Sequence, residues 1–450
     1  MTQTAFAPPA RNFWHIWNMS FGFLGVQMGW TLQMANMSAI YEYLGANPEQ
    51  IPILWLAAPM SGLVAQPVIG YFSDRTWTPI GRRKPYILAG AILSSLALVA
   101  MPNVSSLWMA AGLLWILDTS INLTTEPFRA FLADNSDGRT RHRAFTMQAF
   151  FIGVGAVFAA CLPWLLGHFC PPPGPQEIPL AVKLSFYIGA VLFGTAVGWT
   201  VWQAPHRDEQ AVRATMPGPV GDATTWYGEL WQTLLATPER MRQLLGVQFS
   251  TWLGMFCVFL YLPPAIAHQV FGAVAESDPV YTQGIAWAGI CIGVYNVACL
   301  LTSFFLLPRL TRRVGRRNSY ALCLVCGGLS LIALLWIRNP HWILLLMLGF
   351  GVAWAGILSL PYSLVSEVLP EQHTGIYMGL FNAGIVIPQI LAALSLGWIM
   401  RHWLGSVHLL VVVLGGVFFL GGAIAVQIVE DQERPIALPA PGMNTKASTS

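Results

Sequence analysis

The chain has 450 residues, of which 55% are hydrophobic and only 10% charged, with a formal net charge of +3. A soluble protein carries about 25% charged residues, so this composition excludes a string of water-soluble domains and defines an integral membrane protein. The small positive balance reads as a topology signal and not as a surface for nucleic acid.

Residues 1–12 lack the charged start and small-residue cleavage site of a removable signal, and are expected to form a cytoplasmic N-terminal segment. Apolar runs then recur, each long enough for the roughly 20 residues a helix needs to cross a bilayer. Twelve are predicted, at 13–40, 51–73, 84–102, 105–133, 142–167, 180–203, 241–267, 281–307, 318–337, 341–366, 374–400 and 405–429. The alternating segments of about 10 residues that mark a membrane β-barrel are not seen. The expected fold is therefore all-α and integral to the membrane, with twelve transmembrane helices in two six-helix halves, 13–203 and 241–429. Between them, 204–240 is a Pro-, Gly-, Thr- and charge-rich cytoplasmic linker in which 225–235 reads as an amphipathic interfacial stretch. The polar, Pro-rich tail at 430–450 is expected to be disordered.

Lys and Arg placement sets the orientation. The even-numbered connections carry Arg75, Arg82, Arg83 and Lys84, then Arg139, Arg141 and Arg143, Arg207 to Arg242, and Arg309 to Arg317. The odd-numbered ones hold little beyond Lys183, Arg338 and Arg401, so both termini are expected in the cytoplasm. The halves echo one another: GRRKPY at Gly81–Tyr86 returns as GRRNSY at Gly315–Tyr320, and Pro127 as Pro361. The offsets 315 − 81 and 361 − 127 are both 234, as duplication of a six-helix unit requires.

Charge inside a span costs roughly 2.5–3.5 kcal/mol and needs a reason. The fourth span, with LLWILDTSINLTTEPFRAFLADN, is the richest. At helical spacing Asp118, Asn122, Thr125 and Arg129 fall within about 60° of one another, and Glu126 flanks them within reach of Arg129. Asp118 and Arg129 are about 16 Å apart along the axis and do not pair directly unless the helix breaks. The predicted proton-coupling set is Asp118, Glu126 and Arg129: Asp118 takes up and releases a proton as its surroundings alternate between dry and wet, and Arg129 is an electrostatic partner. The alternative is a fixed Glu126–Arg129 pair with Asp118 facing a water-filled cavity.

Amides and indoles elsewhere in the spans suit a neutral, hydroxyl-rich ligand, because amides donate and accept together. The predicted substrate set is Gln27, Trp30, Gln33, Asn36, Gln66, Asn122, Gln148, Trp252, Trp354, Asn382 and Gln389, with Gln248 and Asn296 as further in-span amides. Each taken singly could equally bond between helices or anchor to lipid. The intramembrane Cys323-x-x-Cys326 reads as small apolar filler, and no metal, cofactor or nucleophile–base motif is expected.

The connection after the second span, GYFSDRTWTPIGRRKP, concentrates charge around Gly70, Asp74, Arg75, Gly81, Arg82 and Arg83. Asp74 at a helix end can cap a neighbouring helix and pair with these arginines. Topology alone would explain the arginines but not Asp74 or Gly70.

Several motifs carry a family resemblance: GVQMGWTLQ (25–33), PMSGLVAQPVIGYFSDRTWTPIGRRKPYI (59–87), the Asp118…Pro127-x-Arg129-Ala130…Leu132-Ala133-Asp134 pattern, and GLFNAGIVIPQ (379–389). They resemble the plant sucrose–proton symporters and their animal and bacterial relatives, in the glycoside–pentoside–hexuronide branch of the major facilitator superfamily. The five residues Thr76–Ile80 lengthen the loop as that family does. The resemblance implies symport of a disaccharide or other glucoside with a proton, with the coupling acid on Asp118, its arginine on Arg129, and amide positions on Gln27 and Gln33. It also implies that the loop network, with Asp134, closes the cytoplasmic side as a gate. Glu126 departs from the uncharged amide usual in the plant proteins, and the eighth span lacks their charged pair. A bacterial relative importing maltose, sucrose or a related α-glucoside fits these departures, as a multi-pass, monomeric protein of the inner membrane. Alternatives are sodium coupling, another glycoside, or a sugar sensor without transport. The partners expected are a small-molecule sugar and the lipid bilayer, with no enzyme activity and no cofactor beyond the coupling proton.

Overall fold

With no water in a bilayer core, a spanning backbone must satisfy its own hydrogen bonds, and long apolar runs therefore fold as helices. The computed structural model describes residues 13–76, 78–135, 138–171, 177–203, 239–365 and 374–429, at a few helical positions by backbone alone. Its regular elements are all helical: α1 (Phe13–Ser20), α2 (Gly22–Tyr43), α3 (Ile51–Leu54), α4 (Ala57–Arg75), α5 (Lys84–Ala100), α6 (Leu107–Asp134), α7 (Gly138–Gly167) and α8 (Leu180–Gln203). After the linker come α9 (Glu239–Ala265), α10 (Pro279–Leu301), α11 (Leu307–Ala333), α12 (Pro340–Val365), α13 (Thr374–Trp403) and α14 (His408–Val426). Every predicted span overlaps one of these helices. Among the described residues nine helical stretches are long and apolar enough to cross a membrane, and one of them, Pro279–Ala333, overlaps two predicted spans. The first two predicted spans are helical but fall outside the nine: the first carries Gln27, Gln33 and Asn36, and the apolar helical stretch of the second, Ile51–Gln66, is shorter.

Boundaries shift where a local rule outweighs hydropathy. The ninth span was expected from residue 318, yet α11 starts at Leu307 and carries Arg309, Arg312, Arg313, Arg316 and Arg317 as helix. Arg is a good helix former whose long side chain reaches water from an apolar segment. This helix bends at Gly315, where φ is +80° and ψ 166°. Gly81, 234 positions earlier in the sequence, also has a positive φ, +113°. L-residues with side chains avoid this region, so both copies of the GRR motif use glycine for one backbone need. Pro127 and Pro361, the other matched pair, both lie inside helices. At its start α10 is held by Asp278, which accepts from the Val280 N–H at 3.0 Å, with Pro279 in the first turn.

Within the first half α2 packs on α7 and α8, and α6 on α4 and α5; within the second, α14 packs on α9 and α11, and α12 on α10 and α11. The halves meet through α7 with α10, α4 with α13, and α2 with α9. The α7–α10 approach depends on small residues, since a Cβ on Gly289 would lie 2.3 Å from the Ala160 carbonyl oxygen. Gly289→Val should therefore lower the thermal midpoint of the detergent-solubilised protein, by about 1–3 kcal/mol of overpacking. An unchanged midpoint would show that this seam has slack.

Candidate functional site

Between the halves lies a cavity of about 360 Å³, within the usual range of about 300–1,000 Å³ for a small-molecule site. Its walls include Gln27 and Trp30 of α2, Gln66 of α4, Asn122 of α6, Trp252 of α9, Trp354 of α12, and Asn382 and Gln389 of α13. Eight predicted substrate residues from six helices thus converge on one space. Asn296 also lines it, as do Thr31 and Tyr295, which sequence patterning did not single out.

Three other members of that set are elsewhere. Gln33 is fully buried and donates from Nε2 to Oδ1 of Asp118 at 2.8 Å. Asn36 is buried and donates to the Leu32 carbonyl at 2.9 Å within its own helix. Gln148 is buried, does not line the cavity, and its side-chain carbonyl oxygen has no partner. Residue type marks each as a polar group within a span, but the neighbouring helix decides whether it meets the cavity or another side chain. Gln248 likewise points to a neighbour, accepting from the Tyr320 hydroxyl at 3.3 Å.

A chain of amides crosses the cavity from one half to the other. Asn122 donates to the Asp118 carbonyl at 2.9 Å and to the Ser61 hydroxyl at 3.2 Å, and its Oδ1 accepts from Gln66 Nε2 at 3.0 Å. Gln66 Oε1 in turn accepts from Asn382 Nδ2 at 3.3 Å. Elsewhere in the lining, Trp252 and Trp354 stand edge to face, with ring centres 6.0 Å apart and planes at 77°. The buried indole N–H of Trp252 has no hydrogen-bond partner, and buried donors are seldom left so without a use.

Asp118 is fully buried and is not among the residues lining the cavity, so the water contact of the alternative reading is not seen in this conformation. One carboxyl oxygen accepts from Gln33, and the other, Oδ2, is buried without a partner. As the spacing requires, Arg129 is paired with Glu126, three residues away, at 3.0 Å. Arg129 lines the cavity, and its side chain is 53% exposed. A pair so exposed contributes about 0–1 kcal/mol, so Glu126→Gln should leave the unfolding midpoint nearly unchanged. A large drop in a thermal melt would assign the pair a structural role.

Of the predicted gating residues, the side chains of Asp74, Arg75 and Asp134 lie outside the described ones, and Gly70 is described by backbone alone, within α4. The visible part of the loop is a turn in which Thr78 bonds Gly81 twice, from its hydroxyl at 2.6 Å and through its carbonyl at 3.0 Å. Arg82 and Lys84 are buried, Arg83 is half-buried, and none of the three is without a partner. The linker residues 204–238, with the expected amphipathic stretch, and residues 1–12 and 430–450 also lie outside the described residues.

Several polar contacts join the halves at residues 42–49. The Tyr261 hydroxyl donates to the Pro48 carbonyl at 2.7 Å, the Tyr43 and Thr282 hydroxyls bond at 3.0 Å, and Ser406 donates to Glu49. Glu42 meets three residues of the second half there, a junction the sequence reading missed because its first span stopped at residue 40.

Two packed helical halves with a cavity between them suit a transporter, and the comparisons agree. The chain belongs to the Major Facilitator Superfamily, which it matches over residues 19–393, and so stands with transporters and not with enzymes. It is 25% identical over 436 residues to the sucrose transport protein SUT5 of Oryza sativa subsp. indica, covering 83% of this chain and 79% of that one. To the sucrose transport protein SUC4 of Arabidopsis thaliana it is 24% identical over 460 residues, covering 92% and 90%. The crystal structure of the nucleoside transporter NupG superposes with a TM-score of 0.69 at 14% identity, over 92% of this chain and 98% of that one. That of the peptide transporter POT in complex with sulfate gives 0.66 at 14%, over 93% and 95%. These two likenesses establish the fold.

Proposed function

We propose that this protein is a proton-coupled carrier that imports a disaccharide or related glucoside by alternating access. The observation that carries the reading is the cavity wall: it combines amides from both halves with indoles, and Arg129 is the one charged side chain among the described lining residues. Such a wall favours a neutral polyol over an anion or a cation. Amides can donate to and accept from sugar hydroxyls, the free Trp252 N–H supplies another donor, and the indole faces suit the apolar side of a pyranose ring. Sucrose transport proteins among the relatives point to the same substrate class.

Asp118 is the proposed proton carrier. One of its carboxyl oxygens accepts from Gln33 and the other is buried without a partner, so the carboxyl is not locked in an ion pair and is left available for the exchange. Sugar hydroxyls entering the cavity would compete for the Asn122–Gln66–Asn382 bonds, and Asn122 also bonds the Asp118 backbone. Sugar binding and the surroundings of the acid are thereby coupled. With Lys and Arg concentrated on the even-numbered connections, both termini are proposed to be cytoplasmic and the 42–49 junction to be the closed outer gate. The loop from Gly70 to Arg83, with Asp134, is the proposed inner gate, and a bacterial inner membrane the proposed location.

Uptake of labelled sucrose, maltose and glucose into cells expressing the chain, with mutual competition and with a protonophore, tests this directly. Uptake of a disaccharide that the protonophore abolishes is expected. Uptake that follows a sodium gradient and ignores the protonophore would replace proton with sodium coupling. Saturable binding without flux would make the protein a sensor.

A further inference from the structure

Where α2 ends, Glu42 is 2% exposed and packs against the second half. Its Oε1 lies 2.8 Å from Nε2 of His408, at the start of α14, and its Oε2 lies 3.6 Å from Nε2 of His268, in the π-helical turn Ile266–Val270 after α9. The Tyr281 hydroxyl of α10 donates to the same Oε2. The two imidazoles stack, 4.8 Å between centres and 13° from parallel. One carboxylate oxygen and the two imidazole nitrogens lie within 4.8 Å of one another.

The hydrogen bonds select the tautomer. His268 Nδ1 is 2.9 Å from the Ala273 carbonyl, which can only accept, so Nδ1 carries a hydrogen and Nε2 of a neutral ring is a bare lone pair. That buried Nε2 has no hydrogen-bond partner, and the group nearest to it in the cluster is the Glu42 carboxylate. Two electron-rich atoms facing each other call for a cation between them. The outer contacts match those of metal-binding histidines and carboxylates, whose remaining polar atoms are held by a backbone carbonyl or a hydroxyl: here Ala273 for His268 and Tyr281 for Glu42.

We propose that Glu42, His268 and His408 form a binding site for a divalent transition-metal ion of zinc type, which clamps the two halves together at this end. Two imidazole nitrogens and a carboxylate oxygen are a common zinc donor set, with the fourth position left to water. An ion about 2.0–2.2 Å from each donor needs donors roughly 3.3 Å apart, so on binding the 2.8 Å His408–Glu42 contact opens and its shared proton is released to solvent, while the wider contacts close. Because α2 supplies Glu42 while α9 and α14 lead to the histidines, the site is complete only when the halves meet here. The ion enters while this end is parted, is held once it closes, and opposes reopening. Which solute is carried has no bearing on the site.

The test is a titration of the purified full chain, free of any histidine tag, with Zn²⁺ followed by calorimetry and thermal melting. One saturable site per chain and a raised unfolding midpoint are expected. His268→Gln with His408→Gln should weaken binding by roughly tenfold or more and remove the shift, while His408→Cys, which keeps a ligand, should retain both. A cooperative melt of each variant without metal shows that it is folded, and should the double variant not fold, His268→Gln alone gives the same reading. No saturable binding, unchanged binding in the glutamine variants, or a midpoint that follows acidity but not zinc would overturn the proposal; the last outcome would make the cluster a proton-bridged junction.

Discussion

Replacing Asp118 with Asn should abolish accumulation of sugar against its gradient while sugar exchange across the membrane continues. The physical basis is the environment of this side chain, fully buried and bonded only through Oδ1 to Gln33. Asn keeps the volume and still accepts from Gln33 through its carbonyl, so the packing of α2 on α6 should survive. What it removes is the exchangeable proton. One proton moved down a membrane potential supplies about 2.3 kcal/mol per 100 mV, or roughly 50-fold accumulation, and the variant should lose that factor. Counterflow in proteoliposomes separates the two functions: exchange near the native rate with no accumulation supports the assignment. Accumulation equal to that of the native chain would move the coupling acid elsewhere.

The second large effect belongs to Trp252. Trp252→Ala should raise the apparent KM for the transported sugar by roughly 10- to 100-fold, through loss of an indole face and a donor that together contribute about 1–3 kcal/mol. Trp252→Phe retains an aromatic face and deletes the unpaired N–H, so it should fall between the two. Initial uptake rates across a concentration series measure this. If Phe behaves as Ala, the N–H is the main contact; if both keep the native KM, the sugar does not rest on this wall of the cavity. The edge-to-face partner Trp354 gives a control, because its ring also packs against Phe259 at 5.7 Å and can hold its position without Trp252.

Much of this arrangement was legible in the chain itself, and the exceptions have a common cause. Hydropathy located the helices because apolar length is a property of each segment alone. The repeat was legible because Gly81 and Gly315 meet the same backbone demand and Pro127 and Pro361 occupy matched helices. Spacing along α6 placed Glu126 within reach of Arg129, and the two pair at 3.0 Å. Periodicity says which residues share a face, but not which helix lies opposite. Gln27, Gln66 and Asn382 therefore line the cavity, while Gln33 turns to Asp118 and Asn36 bonds within its own helix. The Glu42 junction was invisible for the same reason: its two histidines are 226 and 366 positions away (268 − 42 and 408 − 42), and only the closed halves bring them together.

The most direct test of proton-coupled sugar carriage is the pH of the medium around sealed, potassium-loaded, valinomycin-clamped proteoliposomes containing the purified chain. Adding sucrose or maltose outside, without sodium, should make the medium more alkaline as protons enter with the sugar, and Asp118→Asn should show no such signal. Entry of the sugar with no change in external pH, or only when sodium is supplied, would contradict the account.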